Sequence, residues 1–277
     1  MNKKIVILCI AKNSADTAEV LKFSLEELGF KNISIVKKLN EMKCDYLFTI
    51  KAWNPGSPSK DLCKYSILVQ REQILDQRKN GVYSVGDGFD FSLESYEENL
   101  NLKFSGKKIL YCPSGYSPLF DYKNNSIKES IDVFHFGSFP ERRKTMYNFL
   151  KDNNIDILHE RHIWGEERDK AILRAKINIG IKAKNIYYFP TLRFLLVASK
   201  GKFYLSEKSD GGYGPYVPGK HFIEFEGKSD MLDKIKYYLK HENERNEFAS
   251  FAYNDIKNNL NYTKFLNECL KYIESNY

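Results

Sequence analysis

Short apolar runs alternate with helical patterns along the first half of the chain. KIVILCI at 4–10 reads as a strand, TAEVLKFSLEELGF at 17–30 as an amphipathic helix ending near Gly29, and NISIVKKL at 32–39 as a second strand. CDYLFTI at 44–50 and KYSILVQ at 64–70 continue the strand-like series, followed by the more irregular GVYSVGDGFDFS at 81–92. This alternation predicts an α/β fold with a mostly parallel sheet. The turn-rich WNPGSPSKD at 53–61 is the kind of loop that follows a strand at the ligand-facing edge of such a sheet.

A second series begins after residues 113–130, where Pro, Gly, Ser and Asn concentrate in PSGYSPLFDYKNNSIKES and a domain boundary fits. It runs strand DVFHFGS, a helix from Glu141, strand IDILHER, helix GEERDKAILRAK, strand INIGIKA, a helix near YFPTLRFLLVASKG, then strands KFYLSE and HFIEFE. Met231, Leu232, Ile235 and Leu239 mark one closing helix, and Phe265, Leu266, Cys269, Leu270 and Ile273 form a clear stripe on the last. The expected organisation is an N-terminal domain over 1–118, a C-terminal domain over 119–260 and a terminal helix over 261–277 that crosses back to the first domain, with a cleft between the two.

Composition narrows the class. The 277 residues are 42% hydrophobic and 29% charged, enough for a substantial core and against disorder. No apolar run approaches the ~20 residues of a membrane span, and the N-terminal apolar segment is too short for a secretory signal. Five widely spaced cysteines without a C-x-x-C pattern argue against a zinc site or disulfide framework, so they read as buried small hydrophobes in a protein of the reducing cytoplasm. The net charge of +7 is spread along the chain and favours an anionic partner without choosing between nucleotide, nucleic acid and membrane surface. Coding bias toward Lys, Asn, Ile and Tyr explains it equally well.

The stretch GSFPERRKTMYNFL at 137–150 asks for a ligand. Ser138 and Glu141 match the capping-box spacing, Pro140 suits a first turn, and Met146, Phe149 and Leu150 recur at helical spacing. Arg142 and Arg143 thus stand at the positive end of a helix dipole. Two readings are open: solvated surface charges, or partners of an anion held with the backbone N–H groups.

Several segments together resemble the GT-B class of nucleotide-sugar-dependent glycosyltransferases, in particular its spore-maturation-protein-like branch. PSGYSPLF is similar to the family's hinge pattern, with Pro113, Gly115 and Phe120 in place and Ser117 where the family holds an aspartate. The strand ending in Gly137, followed by Glu141, Arg142 and Arg143, resembles the loop and helix that receive the donor diphosphate. LRFLLVASKGKFYLSE is similar to the donor-site helix and strand, and YVPGKHFIEFEGKSDMLDKIKYYLKHENERNEFA to the closing run that ends in a charged HENER turn. Where many relatives hold a ribose-binding acid this chain has Leu196; Glu207 is the nearest acid to replace it.

The resemblance implies two Rossmann-like domains facing a cleft, a UDP-sugar as the default co-substrate, no further cofactor and metal-independent transfer to a hydroxyl acceptor. The acceptor is a glycan, a small molecule or a hydroxymethylated base in DNA. A catalytically silent nucleotide-sugar module, which Leu196 and Ser117 feed, and a nucleic-acid-binding module using the basic surface without sugar chemistry are rival readings. Donor binding falls to Gly137, Ser138, Arg142, Arg143, Lys182, Arg193 and Glu207, with Gly211 and Gly212 in SDGGYGPY letting backbone amides approach the ligand. For Lys182 and Lys184 ordinary solvated lysines are the competing reading, and for Arg193 a structural salt bridge. Glu72 in LVQREQ and Asp87 in GDGFDF are the candidate bases, either of which could simply cap a helix. Tyr187 and Tyr188 stack on a base or line the cleft, with core or lid packing as the competing reading, and Tyr216 reads as a packed tyrosine of a plain turn. His135 reads as a satisfied structural histidine, and His159 and His162 lack a third ligand for a metal.

Overall fold

The computed structural model describes residues 2–10, 14–39, 43–50, 61–70, 88–101, 108–121, 126–183 and 189–276. They form two compact units, one of Met1–Gly115 with Tyr262–Tyr277 and one of Tyr116–Asn261.

The first unit is built on β1 (Lys4–Cys9), α1 (Ala15–Glu27), β2 (Asn32–Val36), β3 (Cys44–Ile50), β4 (Cys63–Gln70), β5 (Phe91–Glu94) and β6 (Lys108–Tyr111). Its six strands are parallel in the order β2-β1-β3-β4-β5-β6. A parallel sheet is covered on both faces, which is why β1, β3 and β4 carry near-continuous apolar runs and not alternation. The stretch read as irregular contains β5, every residue of which is buried. Its start is fixed by Asp90, whose carboxylate accepts from both the backbone N–H and the hydroxyl of Ser66 at 2.8 Å.

The second unit comprises β7 (Ile131–Phe136), α2 (Glu141–Asp152), β8 (Ile157–Glu160), α3 (Gly165–Arg174), β9 (Ala175–Gly180), α4 (Thr191–Ala198), β10 (Tyr204–Glu207), β11 (Ile223–Phe225), α5 (Gly227–Lys240) and α6 (Glu242–Asn259). Its parallel strands run β11-β10-β9-β7-β8. The chain leaves β7 toward β8 on one side and returns to β9 on the other. The C-terminal ends of β7 and β9 therefore form a topological switch point, where the flanking loops diverge and leave a crevice. Val133, Ile177 and Ile179 of the sheet pack with Met146 and Leu150 of α2 and with Met231 and Ile235 of α5. HENER opens α6 instead of forming a turn: His241 stands at the cap, and Arg245 of the first turns is 2% exposed, held by the Tyr238 carbonyl and Glu129.

The last helix, α7 (Tyr262–Asn276), belongs to the first unit. It buries Leu266, Leu270 and Ile273, each contributing about 1.5–3 kcal/mol. Its hydroxyl of Thr263 donates to Ser24 of α1 at 3.0 Å, and Glu274 accepts from Lys3 at 2.6 Å and from the Tyr46 hydroxyl at 2.7 Å. Two parallel sheets with flanking helices bear out the α/β expectation.

Candidate functional site

The switch point of the second unit collects most of the donor-binding residues read from the sequence. β7 ends in Phe136 and the chain turns at Gly137, whose φ of 117° lies in the region that favours glycine. A Cβ there would stand 3.1 Å from Arg193 Nη2 and 3.8 Å from Arg143 Nη1. The missing side chain thus leaves the turn open to two guanidinium groups. The Gly137 N–H donates to the Glu160 carbonyl at 2.9 Å, and its own carbonyl accepts from His159 Nε2 at 2.8 Å, so this nitrogen carries the proton.

The helix that follows is capped differently from the capping-box expectation. Pro140 occupies the cap position with extended backbone, and α2 starts at Glu141. Ser138 lies two residues too early to cap. Its carbonyl and hydroxyl instead accept from Arg143 Nη1, at 2.5 and 3.1 Å, while Arg143 Nε donates to the Ile181 carbonyl at 2.8 Å. Arg143, 4% exposed, thereby ties the loop after β7 to the loop after β9. Burial first, and the charge of Arg193 second, pull its pKa down to about 10, which still leaves it a cation at neutral pH.

Arg142 and Glu207 answer each other. Arg142 donates through both terminal nitrogens to the Glu207 carboxylate, one at 2.9 Å, and to the Lys182 carbonyl at 2.8 Å. The Lys182 N–H donates to the same carboxylate at 2.9 Å. Glu207 is the end of β10, and its pairing closes three loops around the crevice. One of the three arginines is therefore neutralised.

Arg193 is not. It sits in the first turn of α4 with its guanidinium 5.5 Å from the Phe136 ring, and its buried Nε has no hydrogen-bond partner among the described residues. No carboxylate among the described residues forms an ion pair with it or with Arg143. Beneath it lie His135 and Tyr204, 0% and 1% exposed. Among the described residues neither ring nitrogen of His135 has a partner, which corrects the expectation of a satisfied histidine. Burial, with Arg193 and Arg143 adding to it, holds His135 neutral far below its ordinary range. Tyr204 fits only because position 180 is glycine: a Cβ on Gly180 would stand 2.2 Å from the Tyr204 hydroxyl. Burial raises the pKa of this phenol against the opposing charge of Arg193.

The structure thus gathers Gly137, Ser138, Arg142, Arg143, Lys182, Arg193 and Glu207. Gly211 and Gly212, with φ of 150° and 69°, occur in the segment after β10, where the Gly211 carbonyl accepts from Phe189 at 3.2 Å. Tyr216 packs on Phe194 with ring centroids 5.0 Å apart, and Leu196 is 3% exposed, a core position that would bury an acid. Ser117 caps a short 3-10 helix by accepting from the Leu119 N–H. Glu72, Asp87, Lys184, Tyr187 and Tyr188 lie outside the described residues.

Three participants went unread in the sequence: Gly180, Tyr204 and the Ile181 carbonyl. A glycine inside the strand run INIGI was the available signal, since strand glycines mark close approach of another group. In the first unit a buried polar cluster was also missed. Glu94, at the end of β5 and 0% exposed, accepts from Ser92 Oγ at 2.6 Å and Asn99 Nδ2 at 3.0 Å.

Against known proteins, the model of a family described as glycosyl transferase-like matches residues 127–271, just over half of the chain. No curated protein sequence matches it. Among solved structures it is similar to an alpha-glucosyltransferase in complex with UDP and a 13-mer DNA containing an HMU base, at 9% identity and a TM-score of 0.71, with 98% of this chain and 99% of that chain covered. Anabaena HepE in complex with UDP and glucose gives 8% identity and a TM-score of 0.61, covering 99% of this chain and 100% of that chain. Sucrose-phosphate synthase from Thermosynechococcus elongatus gives 9% identity and a TM-score of 0.62, with 99% of each covered. At such identities the likeness is one of fold, and the fold is GT-B.

Proposed function

The chain belongs to the glycosyl transferase-like family, and from that premise we propose that its second unit binds the diphosphate of a UDP-sugar over the Gly137 turn. Glycosyl transfer is its reaction. The observation that carries the donor assignment is electrostatic. Three arginines meet at one switch point and, among the described residues, a single carboxylate offsets them, leaving Arg143 and Arg193 as like charges held close together with a buried donor unused. Such an arrangement is costly without an anion and favourable with one.

In this reading Arg193 donates to the diphosphate and stabilises the charge that grows on it as the glycosidic bond breaks. The Gly137 turn lets the phosphates approach the backbone, and Arg143 fixes the two loops that shape the crevice while adding its field. The Arg142–Glu207 pair sets the outer wall. The uridine assignment draws on HepE and the alpha-glucosyltransferase, both described in complex with UDP. The acceptor base is assigned to the sequence candidates Glu72 and Asp87 of the first unit.

The test is calorimetric titration of the full chain with UDP, UDP-sugars and the other nucleoside diphosphates. Binding of UDP, with a melting point that climbs with its concentration, is expected. Absence of binding by every nucleoside diphosphate sinks the donor assignment. A second reading concerns the acceptor alone. The net charge of +7 and the DNA complex of the alpha-glucosyltransferase favour a hydroxymethylated base in DNA. Sugar transfer from UDP-glucose to hydroxymethylated duplex, weakening steeply with salt, supports it; transfer only to glycans refutes it.

A further inference from the structure

Two of the five cysteines depart from the buried-hydrophobe expectation. Cys9, Cys112 and Cys269 are buried, whereas Cys44 and Cys63 are half-buried and free. They open adjacent parallel strands at the same rung: Cys44 of β3 is the register partner of Cys63 of β4. Neighbouring strands lie about 4.7–4.9 Å apart, and partners in register project to the same face. That separation falls within the roughly 4.4–6.8 Å between Cα atoms that a disulfide spans. The pair is anchored, since the Cys44 N–H donates to the Leu62 carbonyl at 2.9 Å, the residue before Cys63. We propose that Cys44 and Cys63 are a redox-modification site, a dithiol that low-molecular-weight disulfides convert reversibly to a disulfide linking β3 to β4.

Both side chains pack against the same apolar cluster of Val6, Leu8 and Leu47. The neighbouring Cys63 thiol favours the thiolate on Cys44, and the charge of Lys4 acts in the same direction against the opposing effect of burial. The adjacent Cys44 sulfur, with burial, holds Cys63 protonated. Cys44 is accordingly the attacking sulfur and Cys63 the resolving one. In the first step the Cys44 thiolate attacks one sulfur of the small disulfide, forming a mixed disulfide and expelling a thiolate. Cys63 then loses its proton to solvent and attacks the Cys44 sulfur, forming the Cys44–Cys63 bond and expelling the second thiolate. Two protein thiols are oxidised and one small disulfide is reduced to two thiols. The product closes the segment from 44 to 63 into a covalent ring, constraining the unfolded chain. Cys9 makes the contrast: burial raises its thiol pKa, so it stays inert.

The experiment equilibrates the full-length, fully reduced protein with graded ratios of oxidised to reduced glutathione, followed by alkylation and non-reducing peptide mapping. Alkylation of the wild type is expected to fall from five sites to three, with the peptides of Cys44 and Cys63 joined, a raised melting midpoint, and full return to five on adding reductant. Cys63→Ser is expected to stop at a glutathione adduct on Cys44. Five alkylated cysteines at ratios that oxidise a control vicinal dithiol overturn the proposal, as do separate stable adducts on Cys44 and Cys63 in the wild type or a linked pair of other cysteines. The wild-type mapping decides the matter even if a variant fails to fold.

Discussion

Replacing Arg193 with methionine should stabilise the empty protein and weaken the donor, two effects of opposite sign. The methionine keeps a long apolar stem beside Phe136 while removing the charge and the buried Nε, which has no hydrogen-bond partner. An unsatisfied buried donor costs about 1–3 kcal/mol, so its removal is a gain. Arg193 is also the second cause, after burial, of the fall of the Arg143 pKa to about 10. Relief of that repulsion adds on the order of 1 kcal/mol. Allowing for lost packing of the guanidinium on Phe136, the net gain is about 1–2 kcal/mol. For a unit the size of Tyr116–Asn261 that raises the melting point by several degrees, at about 2–4 °C per kcal/mol.

With donor present the sign reverses. Charge-assisted hydrogen bonds from one guanidinium to a diphosphate are worth about 2–3 kcal/mol, so UDP affinity should drop on the order of 30- to 150-fold. Thermal melts without ligand and calorimetry with UDP measure the two arms separately. If Arg193 were a structural cation, the variant would melt lower and bind UDP as before. That outcome, or unchanged affinity with any melting shift, refutes the assignment of Arg193 to the diphosphate.

Two other predictions follow from the crevice floor. Gly180→Ala places a Cβ 2.2 Å from the Tyr204 hydroxyl and 2.9 Å from its ring carbon Cζ and should destabilise by about 1–3 kcal/mol, a loss that Tyr204→Phe in the same chain restores in part, by removing the nearer atom, in denaturant melts; equal losses in the single and double variants would show that the hydroxyl clash is not the cause. Burial holds the folded-state pKa of His135 well below 6.5, so the unfolded chain binds a proton that the folded chain refuses. Stability from this residue is complete above about pH 6.5 and is lost as pH falls toward the folded-state value, at up to ~1.4 kcal/mol per pH unit. His159 and His221, also lowered by burial, share the direction, so the measurement is the difference: His135→Phe should flatten the acid slope relative to wild type between pH 6.5 and 5, and an identical slope would contradict the account.

Local pattern carried the sequence reading far. The apolar runs that became β1, β3, β4, β7 and β9 are legible because a sheet covered on both faces demands continuous hydrophobicity, and the stripe of Leu266, Cys269, Leu270 and Ile273 is legible because a helix docks one face. β5 escaped notice: four residues held by the reach of Asp90 to Ser66 carry no period of their own. The cap of α2 escaped for a related reason. Capping-box spacing is a local rule, and Ser138 was claimed instead by Arg143, whose other partner, the Ile181 carbonyl, lies 38 residues away in sequence.

The sequence by itself determined the alternation of strands and helices, the arginine pair after a glycine turn and the family resemblance, since each is written in residues near one another. Only the tertiary structure decided what the arginines do. Arg142 is spent on Glu207, Arg143 on two loops, and Arg193 is left with a buried donor and, among the described residues, no counterion, because strand order brings the ends of β7, β9 and β10 together. The same is true of Cys44 and Cys63, unremarkable in sequence and register partners in the sheet. Long-range pairing is set by which surfaces bury together, and no spacing along the chain records it.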